Sequence, residues 1–425
     1  MEVLSAGAST RADGISLVCR TSQSNIYITT YAKHRFVPFK DKDKSVPENL
    51  EGKVDVVDDV LEGDTWVAEQ FVFPAKQAQP YTLEKLVSVY TSRETSEGAV
   101  RVTDANQGKV LKSLDMLTTK ELRLIQKFQQ VNSPHVASWA ELWEKADLFI
   151  EGDRLAQKMA RLNTYHLLAA ASHHTKDLDV GLPVKGLAGD GCGDVMWDEI
   201  FQFPFFLSKF PQVCRNHLQY RARRLGRAKQ NAALAGFKGA LYPFHSGQTG
   251  EETCWASDWM SLTDAGGPLD ESEPTPLHWT TRSFHVNHAV FYNCWRFHQE
   301  INDMEFLHNT LLEMMLAIAM FWQSAAEWCE ETGRYSITGV VGPDRFHENQ
   351  GRGNHNNGYT NVMAAWCLDK MLELLETVSP AVCASVTERL EVTPEVLLRM
   401  RDISRRLQVE FNEEGVIMQF HGYDE

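Results

Sequence analysis

Residues 304–329 read MEFLHNTLLEMMLAIAMFWQSAAEWC, and this stretch carries the clearest structural signal in the chain. Its apolar residues recur three or four positions apart, which is the spacing of one face of an α-helix. That face comprises Leu307, Leu311, Met314, Ile318, Phe321 and Ala325. The apolar part, Leu311 to Trp322, is interrupted by Glu313 and is shorter than the ~20 residues that span a bilayer. The pattern therefore predicts a core helix from Met304 to Cys329 rather than a membrane span.

Further helices are predicted on both sides of this segment, with long loops between them. The sequence Thr118-Thr-Lys-Glu121 is a capping-box pattern that predicts a helix starting at Thr118. Helical spacing is also present in residues 138–147, 154–171, 361–376 and 394–408. The intervening segments are rich in Gly, His, Asn and Trp, and they cover residues 173–196, 243–284 and 339–358. Loops of this length in a compact domain usually carry function, and Trp-rich and His-rich loops are atypical of disorder.

The first 95 residues favour strands instead. Val, Ile, Thr, Tyr and Phe are concentrated in residues 14–20, 25–32, 65–73 and 83–92, with turn residues between them. This spacing favours an antiparallel sandwich over parallel βαβ units. We therefore expect an α+β multidomain chain, with a partial antiparallel β-sandwich in residues 1–115, a helical linker in 116–153 and a helical domain in 154–425.

Composition limits the partners and the compartment. The net charge of −15 arises from 57 acidic and 42 basic residues, which argues against nucleic acid or an anionic membrane as a partner. The eight cysteines include no Cys-x-x-Cys pair, as is typical of reduced thiols. The N-terminal residues MEVLSAGASTRADG contain neither the basic nor the apolar region of a secretory signal. We expect a cytoplasmic protein.

Chemistry is expected in four loop segments that combine aromatic, carboxylate and amide side chains: 189–201, 242–252, 284–290 and 341–361. Sugar sites need such a mixture, and glycoside cleavage adds an acid and a group that activates the nucleophile. Each signal also has a simpler interpretation. Trp197 could be a buried core residue, and Glu251 and Glu252 could be solvent-exposed charges without a role in binding. His285 and His288 are spaced like metal ligands on a helix, but the sequence shows no third ligand, so no metal is expected. Phosphate-loop, dinucleotide and serine-hydrolase motifs are not found in the sequence.

The ordered motifs from about Ser138 to His421 resemble glycoside hydrolase family 65, which includes maltose, trehalose and kojibiose phosphorylases and some hydrolases. The resemblance rests on WAELWEKADLFIEGD (139–153), RLNTYHLLAA (161–170), Trp197-Asp198-Glu199, GALYPFHSG (239–247) with Glu251-Glu252, His285-Val-Asn-His288, Gly342-Pro343-Asp344 and Asn356-Asn357-Gly-Tyr-Thr-Asn361.

This resemblance implies a β-sandwich, a helical linker and an (α/α)6 barrel. It also implies an inverting reaction on an α-glucosidic disaccharide, with inorganic phosphate or water as the nucleophile and no metal or organic cofactor. Trp197, Asp198 and Glu199 would form the glucose subsite, and His245, Ser246, Glu251 and Glu252 would line the acceptor side. Asp344 and Asn357 would stand at the two ends of the catalytic loop. The family's phosphorylases are often dimers, so a homodimer is expected.

The sequence departs from the family pattern in three places. Arg345 stands where the family has its catalytic glutamic acid, and arginine is a very poor proton donor at neutral pH. Glu348 is the fallback acid. Residue 194 is Asp where His is common. The family barrel continues beyond Gln419-Phe-His-Gly-Tyr423, so an incomplete, C-terminally truncated barrel is expected. An inactive carbohydrate-binding relative or fragment is therefore the alternative function, and a scaffold that uses only its helical surface is a third.

Overall fold

The computed structural model describes residues 2–8, 14–22, 24–37, 57–75, 77, 81–93, 102–125, 127–176, 181–182, 195–253, 279–344 and 353–423. The chain forms two compact units, Met1–Lys145 and Ala146–Glu425. This division is coarser than the predicted segments 1–115, 116–153 and 154–425, which stay a prediction.

The first unit contains two antiparallel sheets. Strands β1 (Glu2–Ala8), β2 (Ile15–Arg20), β3 (Tyr27–Val37) and β6 (Thr82–Thr91) pair in the order β1-β2-β3-β6. Strands β4 (Val57–Gly63) and β5 (Trp66–Val72) form a two-stranded sheet that contacts β1 and β2. The predicted antiparallel, strand-rich N-terminal region is confirmed, and β1 and β4 are additional strands.

Two helices follow the strands, α1 (Gln107–Leu124) and α2 (Gln129–Ala146). Helix α1 packs on β3 and β6, where Val110 and Leu114 join Tyr27 in a small core. The prediction that a helix starts at Thr118 is wrong, because Thr118 lies inside α1. Its hydroxyl donates back to the Leu114 carbonyl oxygen at 2.8 Å, the bond that Thr forms within a helix.

The second unit is mainly helical. Asp153 caps the first of its helices by accepting hydrogen bonds from the Leu155 and Ala156 backbone amides at 2.9 Å. The helices among its described residues are α3 (Arg154–Ala170), α4 (Glu199–Lys209), α5 (Pro211–Arg223), α6 (Leu225–Leu234), α7 (Val286–Ile301), α8 (Leu312–Ala325), α9 (Gly358–Thr377), α10 (Pro380–Arg389) and α11 (Pro394–Arg406). The predicted change from strands to helices is thus confirmed.

Helix α8 forms the centre of the second unit. A helical turn (Met304–Phe306) and a π-helical turn (Leu307–Leu311) lead into it. The whole segment Met304–Ala325 is long and apolar enough to cross a membrane, with a mean hydropathy of 1.2, but 61% of its most apolar window is buried in the protein. Its interior residues, including Leu316, Ile318 and Trp322, are fully buried in the core. This burial makes α8 the core helix that its apolar pattern predicts.

The predicted continuation of this helix to Cys329 is wrong. Ala326 has the extended conformation, and Glu327–Cys329 forms strand β7, which pairs with β8 (Arg334–Ser336). Arg399 donates a hydrogen bond to the Ala326 carbonyl oxygen at 3.1 Å, so a side chain of α11 satisfies a group that the helix leaves open.

Candidate functional site

Trp197 lies two residues before the start of helix α4, in the loop that Val195 joins to the second loop by backbone pairing with Ser246. The Trp197 ring is half-buried and meets the His285 ring edge-on, with ring centroids 4.9 Å apart. It also contacts the Phe201 ring, with centroids 5.4 Å apart. Asp198, also half-buried, is the residue that precedes the first turn of α4. Because the Trp197 ring is only half-buried, its exposed part can pack against a sugar ring.

His285 connects the four candidate loops. Besides Trp197, its ring contacts the Phe244 ring at 5.3 Å, and its Nδ1 lies 3.3 Å from the Val341 carbonyl oxygen. The side chain is only 2% exposed, and burial lowers its pKa to about 4. The imidazole is therefore neutral at neutral pH, which suits a ring that packs between aromatic residues.

Ser246 and Glu252 shape the second loop internally. The backbone of Ser246 pairs with Val195 through N–O distances of 2.8 and 3.1 Å, and its buried hydroxyl lies 2.7 Å from the Tyr220 hydroxyl. The Glu252 carboxylate accepts hydrogen bonds from the Phe244 and His245 backbone amides at 3.0 and 3.1 Å. These two side chains position the loop that carries the half-buried His245.

Glu199 is buried beneath the Trp197 loop and forms an ion pair with Arg221. Its Oε1 accepts from Arg221 Nη2 at 3.1 Å, and the two side chains are only 4% and 1% exposed. Burial raises the pKa of the Glu199 carboxyl, and the nearby Arg221 charge opposes this shift. Arg221 Nη2 also donates to the Met196 carbonyl oxygen at 3.2 Å, so the ion pair fixes the backbone next to Trp197.

Glu251 lies on the surface and pairs with Arg227, at 3.1 Å between Oε1 and Nη1. Glu251 and Glu252 both line a cavity of about 640 Å³. Trp197, Asp198 and His245 are not among the described residues that line it. Glu252 nevertheless stays close to His285, because it holds the backbone of Phe244, whose ring contacts the His285 ring.

The fourth loop brings Gly342 against Asn357. A Cβ atom at Gly342 would lie 2.4 Å from Asn357 Nδ2, so any larger residue would displace the Asn357 side chain. Asn357 caps helix α9, because its Oδ1 accepts from the Thr360 backbone amide at 3.0 Å while its Nδ2 donates to the Gln419 carbonyl oxygen at 3.0 Å. Asp344 is exposed, and Arg345 and Glu348 lie outside the described residues.

Several residues of this region are not among the predicted site residues. His285 connects the loops although its spacing suggested only a metal ligand, and the ring of His288 stacks on Trp322 in the core, at 4.1 Å and 11°. Within the described ranges, no group of three or more His, Cys, Asp or Glu residues could hold a metal ion. Arg221 and Tyr220 anchor the site from helix α5, and no sequence motif marks them.

The sequence matches the models of two domains of one known family. The sequence model of the glycosyl hydrolase family 65 central catalytic domain matches residues 161–425, and that of the family's N-terminal domain matches residues 2–142. An uncharacterized glycosyl hydrolase of Mycobacterium tuberculosis (strain H37Rv) is 33% identical over 419 residues, which are 97% of this chain and 29% of that protein. Kojibiose phosphorylase of Caldanaerobacter subterraneus subsp. tengcongensis is 33% identical over 367 residues, 84% of this chain and 44% of that enzyme.

A solved structure shares the fold. It is that of a human-microbiome protein provisionally assigned as a kojibiose phosphorylase, with a TM-score of 0.66 and 20% identity. The match covers 98% of this chain and 49% of the solved chain, so the chain spans half or less of the length of these relatives. The two family models together cover nearly the whole sequence. The chain therefore belongs to glycosyl hydrolase family 65.

Proposed function

We propose that the loops joined by His285 bind and cleave an α-glucosidic disaccharide. One observation carries this proposal: the His285 ring, buried between loops, contacts Trp197, Phe244 and the Val341 carbonyl oxygen together. A half-buried indole beside polar loops is the combination that sugar recognition needs. Kojibiose, maltose and trehalose are the candidate substrates, because this chain resembles family members that act on them.

The side chains divide into two groups under this proposal. Trp197 stacks on the glucose ring, Asp198 binds its hydroxyls and His245 faces the acceptor sugar. Glu199, Ser246, Glu252 and Asn357 position those groups, since their polar atoms bond to protein partners. Glu251 and Asp344 are exposed and remain candidates for substrate contact at the rim.

The proposed reaction is an inverting phosphorolysis or hydrolysis. An acid protonates the glycosidic oxygen while phosphate or water attacks the anomeric carbon from the opposite face. Inorganic phosphate is the co-substrate in the phosphorolysis, and no metal or organic cofactor takes part in either reaction. The acid position holds Arg345, and Glu348 is the fallback acid three residues further along the loop.

The wider assignment follows from family membership and composition. We propose that unit 1 belongs to a β-sandwich and that the helices of unit 2 belong to an (α/α)6 barrel. A homodimer and a cytoplasmic location are proposed, with no nucleic acid or membrane as partner. The net charge of −15 supports the last point, because it repels polyanions.

Binding of the three disaccharides by calorimetry tests the site. We expect Trp197→Ala to weaken binding at least about tenfold, because stacking on an aromatic face is lost. Trp328→Ala is the matched control, since Trp328 packs on Tyr335 and lines none of the four loops. Equal affinities in the unmodified protein and in Trp197→Ala would rule out Trp197 as the platform.

A catalytically inactive carbohydrate-binding relative is the second candidate. The observation that favours it is Arg345, since a guanidinium cannot supply the proton that the leaving oxygen needs. Disaccharide binding without release of glucose or glucose 1-phosphate would support this candidate. Turnover by the unmodified chain that Glu348→Gln abolishes would exclude it.

A further inference from the structure

A cavity of about 460 Å³ lies between helix α5 and the π-helical turn that leads into α8. Its wall includes Gln219, Ala222 and Arg223 of α5, together with Asn309 and Thr310 of the turn. The volume is within the range of about 300–1,000 Å³ that small-molecule sites occupy. π-Helical turns are rare in proteins and often occur at functional sites. Both the size of the cavity and the turn in its wall are therefore typical of a ligand site.

This cavity lies away from the proposed disaccharide site. The α5 residues that line it are three and four positions apart and share one face of the helix, whereas Arg221, which anchors the disaccharide site, points to the opposite face. The Phe321 ring packs on Phe284, the residue before His285. Thr310 precedes Phe321 by 11 residues, which is about 16 Å along a helix axis. Of the described residues assigned to the disaccharide site, none lines this cavity.

The charged side chains around the cavity are mainly basic. Lys176 and Arg223 line it and are exposed, and Arg223 Nη1 donates to the Lys176 carbonyl oxygen at 3.3 Å, which keeps the two residues together. Glu313 also lines the cavity, but its carboxylate pairs with Lys229 at 2.9 Å and with Arg389 at 3.6 Å. In and beside the cavity, four basic side chains thus accompany one carboxylate. This excess of positive charge favours an anionic ligand.

Uncharged hydrogen-bonding groups make up another part of the wall. Asn309 and Gln219 contribute amides, and Thr310 contributes a hydroxyl. Gln219 Oε1 is buried, and no described residue donates a hydrogen bond to it. A buried acceptor without a donor is unfavourable, so a ligand hydroxyl that reaches this oxygen would be stabilised. A phosphorylated sugar supplies both such hydroxyls and the negative charge that the basic side chains favour.

We propose that this cavity binds a phosphorylated sugar, with the phosphate on Lys176 and Arg223 and a sugar hydroxyl on Gln219. The bound ligand joins α5 to the turn that leads into α8, the central helix of the second unit. Because the ligand binds only the folded chain, it should also raise the unfolding temperature. This inference goes beyond the proposed function, because the cavity needs neither Trp197 nor cleavage of a disaccharide.

The test measures binding of glucose 6-phosphate to the full chain by calorimetry, with glucose and inorganic phosphate as ligands that each lack one half of it. We expect glucose 6-phosphate to bind at least about tenfold more tightly than either of them, because each half forms its own hydrogen bonds. Lys176→Met should weaken glucose 6-phosphate binding at least about tenfold, because a charge-assisted hydrogen bond to the phosphate is lost. Lys209→Met is the matched control, since Lys209 is an exposed lysine at the end of α4 and is not a lining residue.

A second variant separates the sugar from the phosphate. Gln219→Leu removes the buried acceptor at similar side-chain size, so the affinity for glucose 6-phosphate should fall towards that of inorganic phosphate, whose own affinity should not change. Trp197→Ala should bind glucose 6-phosphate as the unmodified protein does. Loss of that binding in Trp197→Ala would overturn the inference, because the ligand would then occupy the disaccharide site. Equal affinities in Lys176→Met and the unmodified protein, or no binding of glucose 6-phosphate to the unmodified protein, would also overturn it.

Discussion

Replacement of Glu199 by leucine should lower the free energy of unfolding of the second unit by several kcal/mol. Glu199 and Arg221 are 4% and 1% exposed, so the substitution leaves a buried guanidinium without its counter-charge. Removing one partner of a buried ion pair typically costs about 3–5 kcal/mol. Whole domains are stable by only about 5–15 kcal/mol, so the effect should be large.

The assay is urea unfolding followed by tryptophan fluorescence and far-UV circular dichroism. The matched control is Glu251→Leu, because the Glu251–Arg227 pair has a similar distance of 3.1 Å but side chains that are 51% and 33% exposed. Exposed pairs contribute about 0–1 kcal/mol, so the control should lose little stability. The double variant Glu199→Leu/Arg221→Met should be more stable than Glu199→Leu alone, because the unpaired charge is gone.

Two results would refute this reasoning. A loss below about 1 kcal/mol in Glu199→Leu would mean that Arg221 does not depend on this carboxylate. Unchanged stability together with weaker kojibiose binding would indicate that Glu199 binds the sugar directly, as the sequence alone suggested.

Three further predictions concern the loops around the site. Gly342→Ala should lower the unfolding temperature, because its Cβ would lie 2.4 Å from Asn357 Nδ2, whereas Gly226→Ala, with open space around it, should not. Asn357→Ala should cost about 1 kcal/mol in urea unfolding through the lost cap of α9, and Asn357→Asp should retain most of that stability. The contribution of His285 to the free energy of unfolding should be fully present above pH 6.5 and should be lost as the pH falls to about 4. The reason is that burial holds the His285 pKa at about 4 in the folded protein, whereas unfolding returns it to 6.5. The shift corresponds to about 3 kcal/mol, and the pH dependence of urea unfolding should become shallower in His285→Phe. Equal slopes in the two proteins would contradict this assignment.

Local patterns in the sequence predicted most of the regular structure. Apolar spacing located α8 and α9, and β-branched and aromatic runs located β2, β5 and β6. The start of α1 was missed because a Thr-x-x-Glu pattern inside a helix looks the same as one at its beginning. Nothing in the residues around Thr118 indicates that its hydroxyl bonds to Leu114.

The site was predicted only as a set of loops. The partners that position it are distant in sequence: Arg221 is 22 residues from Glu199, and Val341 is 56 residues from His285. No local pattern reports such pairs, so Glu199 and Ser246 were expected to face a ligand. Asn357 is an exception, because an Asn just before an apolar helical pattern is a signal for a helix cap.

The most direct test of the central claim is glucose 1-phosphate formation from kojibiose, maltose and trehalose in the presence of phosphate. It should be measured for the chain as it is and for Arg345→Glu, with glucose release without phosphate as the hydrolysis control. If the loops around His285 form an α-glucoside-cleaving site, restoring the acid should raise the rate by about 10²–10⁴-fold, the usual contribution of general acid catalysis. Release of neither product by either protein would contradict the claim that these loops cleave an α-glucosidic disaccharide.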